Sequence, residues 1–398
     1  MSAGHGEKME HNAYMSIVRE IMIEFADLTG LLSSGEMPRR YLWTDAFAVC
    51  NFLELYRQTG DEQFMQLALH LVEQVHTILG RHRDDDPRTG WISGLDEQEG
   101  KMHPTIGGLR IGKEMNERKP TDPFDERLEW ERDGQYYHYL TKWMHALNLV
   151  SRDTGDSTYN RWAIELAKTA HAGFTYAPLS GAQKRMYWKM SIDLSYPLVS
   201  SMGQHDPLDG FITYSHLQAT ALKNSKKPAW PDLSVEIADM ANICKGKSWV
   251  TDDPLGIGGL LSDAYRIVQL ITNGDFEQTD ILETVLDSGL IGLKSYMRGN
   301  PLKLSVHSRL AFRELGLSIG LRAVEKLKNL IEQNPGVFKK YPLHSRIESL
   351  MRYTLFSKII ETFWLERANR EAGTWKAHRD INMVTLATSL APDGYLTL

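Results

Sequence analysis

Two kinds of apolar text alternate along the chain. From Thr44 to Gln58 the residues Ala46, Phe47, Val49, Cys50, Phe52, Leu53, Leu55 and Tyr56 leave almost no polar side. The next segment, Gln63 to Arg81, is also rich in leucine, but Glu73, Gln74 and His76 interrupt it. The contrast recurs: Tyr137 to Val150 is apolar on most sides, whereas Ser157 to Phe174 keeps Asn160, Arg161, Glu165 and Lys168 on one flank. A helix that is apolar all round is buried, and one with a single apolar face lies at a surface. The pattern therefore predicts inner helices alternating with outer ones.

The turns between paired segments share one chemistry. Thr59-Gly60-Asp61, Thr154-Gly155-Asp156 and Asn273-Gly274-Asp275 each separate two helix-like stretches. Glycine takes the left-handed position that ends the first helix. The aspartate then caps or charges the first turn of the second. Counting forward gives an opening outer helix over His11 to Leu28 and about twelve helices in all. Inner ones begin near Thr44, Asp133, Asp206, Pro254, Val306 and Ser345, and outer ones near Asp61, Asp156, Asp232, Gln278 and Arg322. The fold class read from this order is all-α, an (α/α)6 barrel of six helical hairpins. The single domain spans residues 1–398, with 83–132 as a lid or insertion loop. Strand text is sparse; Lys184 to Tyr196 alternates enough to predict a small β-hairpin on the rim. An open α-solenoid would also stack helix pairs, but its repeat length would be nearly constant, and this one is not.

The alternation, the length and the hairpin turns resemble the six-hairpin glycosidase superfamily, which includes glycoside hydrolases and sugar isomerases of the N-acylglucosamine 2-epimerase type. The resemblance covers most of the chain and is architectural, with no diagnostic motif of any one family. It implies a carbohydrate-active enzyme. Fold alone does not establish function, so the site is read separately.

Composition narrows the field. Of 398 residues 42% are hydrophobic and 24% charged, enough for a large core in a soluble chain. A net charge of −6 gives no basic footprint for nucleic acid. The polar opening MSAGHGEKMEHN has no signal-peptide core, and no apolar run reaches membrane-spanning length. Cys50 and Cys244 lie in apolar helical text with no CxxC neighbour, which reads as a reduced, cytoplasmic protein. Neither a metal nor another cofactor is expected, and the oligomeric state is open.

In such barrels one end gathers the N-termini of inner helices, whose free N–H groups suit carboxylates and hydroxyl-rich ligands. Polar text concentrates at those starts. Trp43 and Asp45 precede the first inner run, and Trp130, Asp133, Gln135, Tyr136, Tyr137 and His138 precede the second. His205 and Asp206, Asp253, His307 and Arg309, and finally His378 mark the others. Aromatic rings with carboxylates and amides between them match the apolar faces and polar edges of sugar rings. An aspartate at a helix start is often only a cap, and tyrosines there often only pack, so each residue alone is weak and the cluster is stronger.

Residues 83–132 hold little helical text, and a stretch this long is usually functional or disordered. Trp91, Ile106 and Leu109 give it something to pack with, which favours a lid. Other chemistries fit poorly. Asp84 to Arg88 lacks the full aspartate-rich diphosphate motif, and no HExxH, CxxC or P-loop occurs. His205 and Asp209 could hold a metal, but Pro207 between them makes helical spacing doubtful. Gly256 to Leu261 follows no strand, so its glycines suit close helix packing and not a dinucleotide.

Three functions follow. The first is a glycoside hydrolase with two carboxylates about 6.5–9.5 Å apart, Asp133 paired with Asp45, Asp206 or Asp253. His307 joins the catalytic candidates, and Trp43, Trp130, Gln135, Tyr136, Tyr137, His138, His205, Arg309 and His378 are read as saccharide contacts. The second is a sugar epimerase using His307 and His378 as a base pair. The third is a saccharide-binding barrel without catalysis.

Overall fold

A computed structural model of the chain describes residues 3–32, 38–181, 183–223, 231–276, 280–339 and 342–398. Its helices in chain order begin with α1 (Ala3–Leu28), α2 (Leu42–Thr59), α3 (Glu62–Leu79), α4 (Tyr137–Thr154), α5 (Thr158–Phe174) and α6 (Asp206–Lys223). Then come α7 (Ser234–Cys244), α8 (Pro254–Thr272), α9 (Asp280–Arg298), α10 (Ala311–Gln333), α11 (His344–Met351), α12 (Leu355–Leu365) and α13 (Arg379–Leu390). Shorter helical turns fill several loops.

Burial separates the two helix types that the polarity pattern predicts. Every residue of α2 from Leu42 to Leu55, of α6 from Asp206 to Leu217, and the run Asn382 to Ala391 of and just after α13 is buried. In α3 the buried positions are Phe64, Met65, Leu67, Ala68, Leu71, Val72, Val75, His76 and Leu79, the spacing of a single stripe. The fold is all-α, and its chain order of buried and one-faced helices is that of an (α/α)6 architecture. Among the described residues no helix is long and apolar enough to cross a membrane.

The hairpin turns form as their sequence implies. Gly60, Gly155 and Gly274 adopt φ of +67°, +72° and +76°, which side chains other than glycine's resist. At the first turn the Thr59 hydroxyl donates to the Leu55 carbonyl at 2.6 Å and accepts the Asp61 N–H at 3.2 Å. Thr154 repeats this with Val150 at 2.7 Å and Asp156 at 3.2 Å.

Tertiary contacts group the chain into two compact units. One comprises residues 1–28, 50–61 and 247–398, the other 29–49 and 62–246. In the first, α8 and α10 meet at glycines. A methyl group on Gly258 would overlap the Gly316 carbonyl, and one on Gly320 would stand 2.5 Å from the Gly258 Cα. The glycine run after Asp253 thus serves close helix packing. Below this contact Glu361, wholly buried, accepts from Ser318 and Ser389 at 2.8 Å and from Arg322 at 2.6 Å.

The second unit carries the strands. β1 (Gln135–Tyr136) pairs antiparallel with β4 (Lys189–Met190), which pairs with β5 (Pro197–Val199). A separate pair joins β2 (Thr175–Tyr176) to β3 (Arg185–Met186). The expected rim hairpin is therefore shared between two small sheets. Segment 83–132 contains two short helices, Glu97–Met102 and Glu126–Glu131, capped by Asp96 and Asp125. Buried Trp91 anchors it, with the Arg81 guanidinium 4.4 Å above its ring.

Three boundaries differ from the sequence expectation. Arg322 starts no outer helix: it lies inside α10, where its charge is drawn inward to Glu361. Its run of apolar text after Gly320 imitates a new helix, but no left-handed glycine ends the old one. Ser345 opens an outer-type helix, not an inner one, and the last inner helix is α13. The start expected at Gln278 falls outside the described residues, and α9 begins at Asp280.

The glycine contact makes a paired prediction. Gly258→Ala forces backbone apart and is expected to cost about 1–3 kcal/mol. Gly259 has nothing within 4 Å of its missing Cβ. Gly259→Ala is expected to be neutral or to stabilise by about 0.5–1 kcal/mol. Urea midpoints of the two variants check this, and equal midpoints would refute the close-packing account.

Candidate active site in the second unit

The entry to α4 is held by buried charge. The carboxylate of Asp133 has no solvent exposure. Its Oδ2 accepts from Arg110 at 2.7 Å and Arg83 at 3.3 Å, and its Oδ1 accepts the N–H groups of Gly112 at 3.0 Å and Gly134 at 3.1 Å. Gln135, also fully buried, accepts from the Leu109 N–H and donates to the Gly107 and Ile192 carbonyls. On the next strand the buried ammonium of Lys189 uses all three protons. It donates to the Glu129 carbonyl at 2.6 Å, the Glu129 carboxylate at 3.1 Å and the Arg132 carbonyl at 2.8 Å. These bonds fix β1, and β1 delivers the chain into α4.

The clamped strand presents a run of rings. Tyr136 stands 5.3 Å from His138, 5.2 Å from Tyr139 and 5.6 Å from Trp188. Trp188 in turn meets the edge of Trp130 at 5.1 Å. Trp130 is about half exposed, so the run reaches solvent. At the other end the hydroxyls of Tyr139 and Tyr41 lie 2.7 Å apart.

Beside this face, α4 and α6 bring four titratable groups together. His138 and Lys142 lie one turn apart on α4, and Asp206 and Asp209 one turn apart at the start of α6. Lys142 donates to both oxygens of Asp209 at 2.9 Å, and the Thr141 hydroxyl donates to the same carboxylate. Asp206 has no such relief. Its Oδ1 is 3.8 Å from His138 Nδ1, beyond hydrogen-bond range, and its buried Oδ2 has no hydrogen-bond partner among the described residues. His138 Nδ1 is likewise buried without a partner. Burial, and secondarily the charge of Asp209, pushes the Asp206 carboxyl up to about 7. Burial, aided by Lys142, pulls the His138 imidazole down to about 4. Near neutrality the imidazole is therefore uncharged and the carboxyl holds its proton about half the time. The His138 side chain keeps 30% of its surface accessible, so its deep ring faces open space.

The remaining sequence candidates have other partners. Asp45 is buried against Arg40 at 3.5 Å and accepts the Tyr41 N–H at 2.9 Å. Trp43 packs on Phe47 at 4.3 Å. Tyr137 is core, its hydroxyl 2.8 Å from that of Tyr214. His205 is half-buried and gives its carbonyl to the Asp209 N–H. In the first unit Asp253 caps α8 by accepting the Gly256 N–H at 3.0 Å, and it also pairs with Arg313. Arg309 is buried, bonded to Glu314 through two nitrogens at 2.8 and 2.6 Å under the ring of Phe363. His307 and His378 are both exposed, and His378 lies edge-on to Phe312. Among the described residues no group of three or more His, Cys, Asp or Glu could hold a metal ion.

Sequence reasoning left Lys142, Asp209, Trp188, Tyr41 and Lys189 off the site. The first two were within reach: each stands one helical turn after a chosen residue, where i,i+3 and i,i+4 side chains meet. Trp188 and Lys189 depended on strand pairing with β1, which no local pattern reveals.

The raised Asp206 carboxyl bears on stability. Its folded value of about 7 exceeds its ordinary 3.8, so unfolding releases a proton between those values and stability falls as pH rises through them. Asp206→Asn removes the buried charge. At pH 8 it is expected to raise the melting temperature by about 2 °C or more. At pH 4 the gain should vanish. A variant less stable than the parent at pH 8 would contradict the burial argument.

No family model matches the chain, and no curated protein sequence does. The chain is similar to three solved structures. One is a sugar epimerase from a ruminal bacterium, with TM-score 0.47 and 11% identity, covering 95% of this chain and 98% of that one. Cellobiose 2-epimerase from Spirochaeta thermophila DSM 6192 gives 0.46 and 11% over 95% and 98%. Cellobiose 2-epimerase from Bacillus thermoamylovorans B4167 gives 0.46 and 12% over 95% and 99%.

Proposed function

We propose that the protein is a carbohydrate-active enzyme that transfers a proton at a sugar's carbonyl end, an epimerase or isomerase, with His138 and Asp206 as base and acid. One observation carries this reading: an imidazole and a carboxyl face each other at 3.8 Å, each with a buried polar atom that no described residue satisfies. A carboxyl raised toward neutrality can give up and take back a proton near pH 7, and an uncharged imidazole can accept one. The run from Trp130 through Trp188 to Tyr136 supports a saccharide, since ring faces suit the C–H faces of sugars.

His138 takes the proton from the carbon next to an open-chain carbonyl; that C–H bond breaks and an N–H bond forms. Asp206 gives its proton to the carbonyl oxygen, so an enediol results and negative charge passes to Asp206. His138 then returns its proton to the neighbouring carbon while Asp206 takes the proton of the other enediol hydroxyl, which gives the isomer and restores both groups. If the enediol first turns its other face to His138, return to the original carbon, with Asp206 taking back the carbonyl-oxygen proton, gives the epimer. Lys142, held on Asp209, partly offsets that second carboxylate's repulsion of the charge that forms on Asp206.

A two-carboxylate hydrolase finds less support in this unit. Asp133 and Asp45 are bound to arginines and Asp209 to Lys142, so Asp206 has no free carboxylate partner among the sequence candidates here. Asp133 then acts in positioning. The raised carboxyl of Asp206 would equally serve as a glycosidase's general acid, and product analysis separates the two readings.

Turnover of an aldose and disaccharide panel in deuterated water, followed by NMR, is the test. Deuterium bound to carbon at or beside the former carbonyl, with no new reducing end, is expected. New reducing ends without carbon-bound deuterium would replace this reading with hydrolysis, and saturable binding without turnover would leave only a binding protein. The pH dependence is a second measurement. Activity needs His138 neutral and Asp206 protonated, so kcat/KM should rise through about 4 and fall through about 7. Asp206→Asn should cost about 10²–10⁴-fold in turnover and remove the alkaline limb.

A further inference from the structure

The first unit holds a cleft of about 810 Å³ between α1, the turn 366–376 and α13. That volume lies within the range of small-molecule sites, about 300–1,000 Å³. Its walls carry opposite charge. Arg367, Arg370, Lys376 and Arg379 line one side together with the single carboxylate of Glu371, and Glu20 and Glu24, one turn apart on α1, line the other. Two of the cations are occupied: Lys376 pairs with Glu371 at 2.7 Å, and Arg379 with Asp380 at 3.1 Å. Arg367 and Arg370 make no ion pair within 4.0 Å among the described residues. Arg370 reaches only the Leu365 carbonyl at 3.3 Å, and its Nε is shut off from solvent without a partner. The glutamates across the cleft are likewise unpaired among the described residues. Arg367 and Arg370 on one wall thus face Glu20 and Glu24 on the other without an ion pair between them.

We propose that this cleft is a second ligand site, separate from His138 and Asp206, which takes a phosphorylated sugar or polyol phosphate. Guanidinium groups bind phosphate through parallel N–H donors. Arg367 and Arg370, close together in the turn, supply such donors. The α13 N-terminus adds to this side, since His378 provides no side-chain cap there. Glu20 and Glu24 are acceptors only, which suits the hydroxyl groups of a polyol. Ile17, Leu365 and Met383 supply apolar surface between the two walls. A bare inorganic anion would leave the glutamates unused and opposed to it. An unphosphorylated sugar would leave the guanidiniums unused.

Isothermal titration of the full chain with glucose 6-phosphate, glucose and inorganic phosphate tests this. Saturable binding of glucose 6-phosphate is expected, with glucose much weaker. Arg367→Ala/Arg370→Ala should weaken glucose 6-phosphate about tenfold or more. Glu20→Gln/Glu24→Gln should weaken glucose 6-phosphate while leaving inorganic phosphate unchanged. Circular dichroism checks that each variant folds; should the arginine variant not fold, the glutamate variant still decides. Asp206→Asn should bind glucose 6-phosphate as the parent does, so that a failure of the catalytic reading leaves this result standing. The proposal is overturned if glucose 6-phosphate does not bind, if it binds the arginine variant as tightly as the parent, or if glucose binds equally well. Equal effects of the glutamate changes on inorganic phosphate would also overturn it.

Discussion

The second unit depends on the fully ligated carboxylate of Asp133. An ion taken out of water costs several kcal/mol, and only close opposite charge and complete hydrogen bonding offset that cost. Asp133 has both: two guanidiniums and two backbone N–H groups on two oxygens. The donors come from three places in the chain, Arg83, the stretch Arg110 to Gly112, and Gly134. One buried charge therefore draws the long segment 83–132 onto the start of α4. Lys189 performs the inverse operation next to Trp188, a buried cation collecting oxygens from Glu129 and Arg132. Between these two ions the strand carrying Tyr136 has little freedom, and His138 follows it by two residues.

Set against those satisfied ions, the unsatisfied atoms at His138 and Asp206 stand out. A buried polar atom without a partner is destabilising by about 1–3 kcal/mol. Two such atoms side by side, next to the fully bonded carboxylate of Asp133 and ammonium of Lys189, are the pattern of a site that stores cost for a ligand to relieve. Rigid ionic support around a locally unfavourable pair also explains why the support is so extensive: the pair would otherwise relax by turning toward solvent.

Much of the fold is legible in the sequence because its signals are local. The Thr-Gly-Asp turns, the apolar-all-round segments and the glycines after Asp253 each state their structure within a few residues. The exceptions have physical causes. Gly316 and Gly320 in α10 resemble stop signals but serve the contact with Gly258, a partner about sixty positions away, so one helix reads as two. The site was less legible. Asp133 was chosen as a catalytic carboxylate, and nothing near it in sequence reveals that Arg110, in loop text, reaches it. Arg309 was chosen for a ligand and is held by Glu314, five residues on, which a closer look at spacing could have found. His138 and Asp206 were both chosen, as a contact and as one of several acids, but their pairing required two helices to meet.

Asp206 and Asp209 show why residue type alone could not separate a cap from a proton carrier. Both sit in the first turn of α6, where the helix dipole favours the charged form by about 0.3–1 kcal/mol. If the dipole decided the matter, both would be ordinary carboxylates. Raising a carboxyl from 3.8 to about 7 corresponds to roughly 4 kcal/mol, several times the dipole's share. Burial therefore outweighs the dipole at Asp206. At Asp209, equally buried, Lys142 and Thr141 supply the charge and the hydrogen bond that burial removes. The two aspartates thus differ through one lysine on the neighbouring helix, one turn below His138. The Asp209 charge raises Asp206 further while Lys142 works against that rise, and the same ammonium lowers His138. Burial sets both members of the pair toward the protonation states that proton exchange requires, and the cation reinforces it at His138 alone.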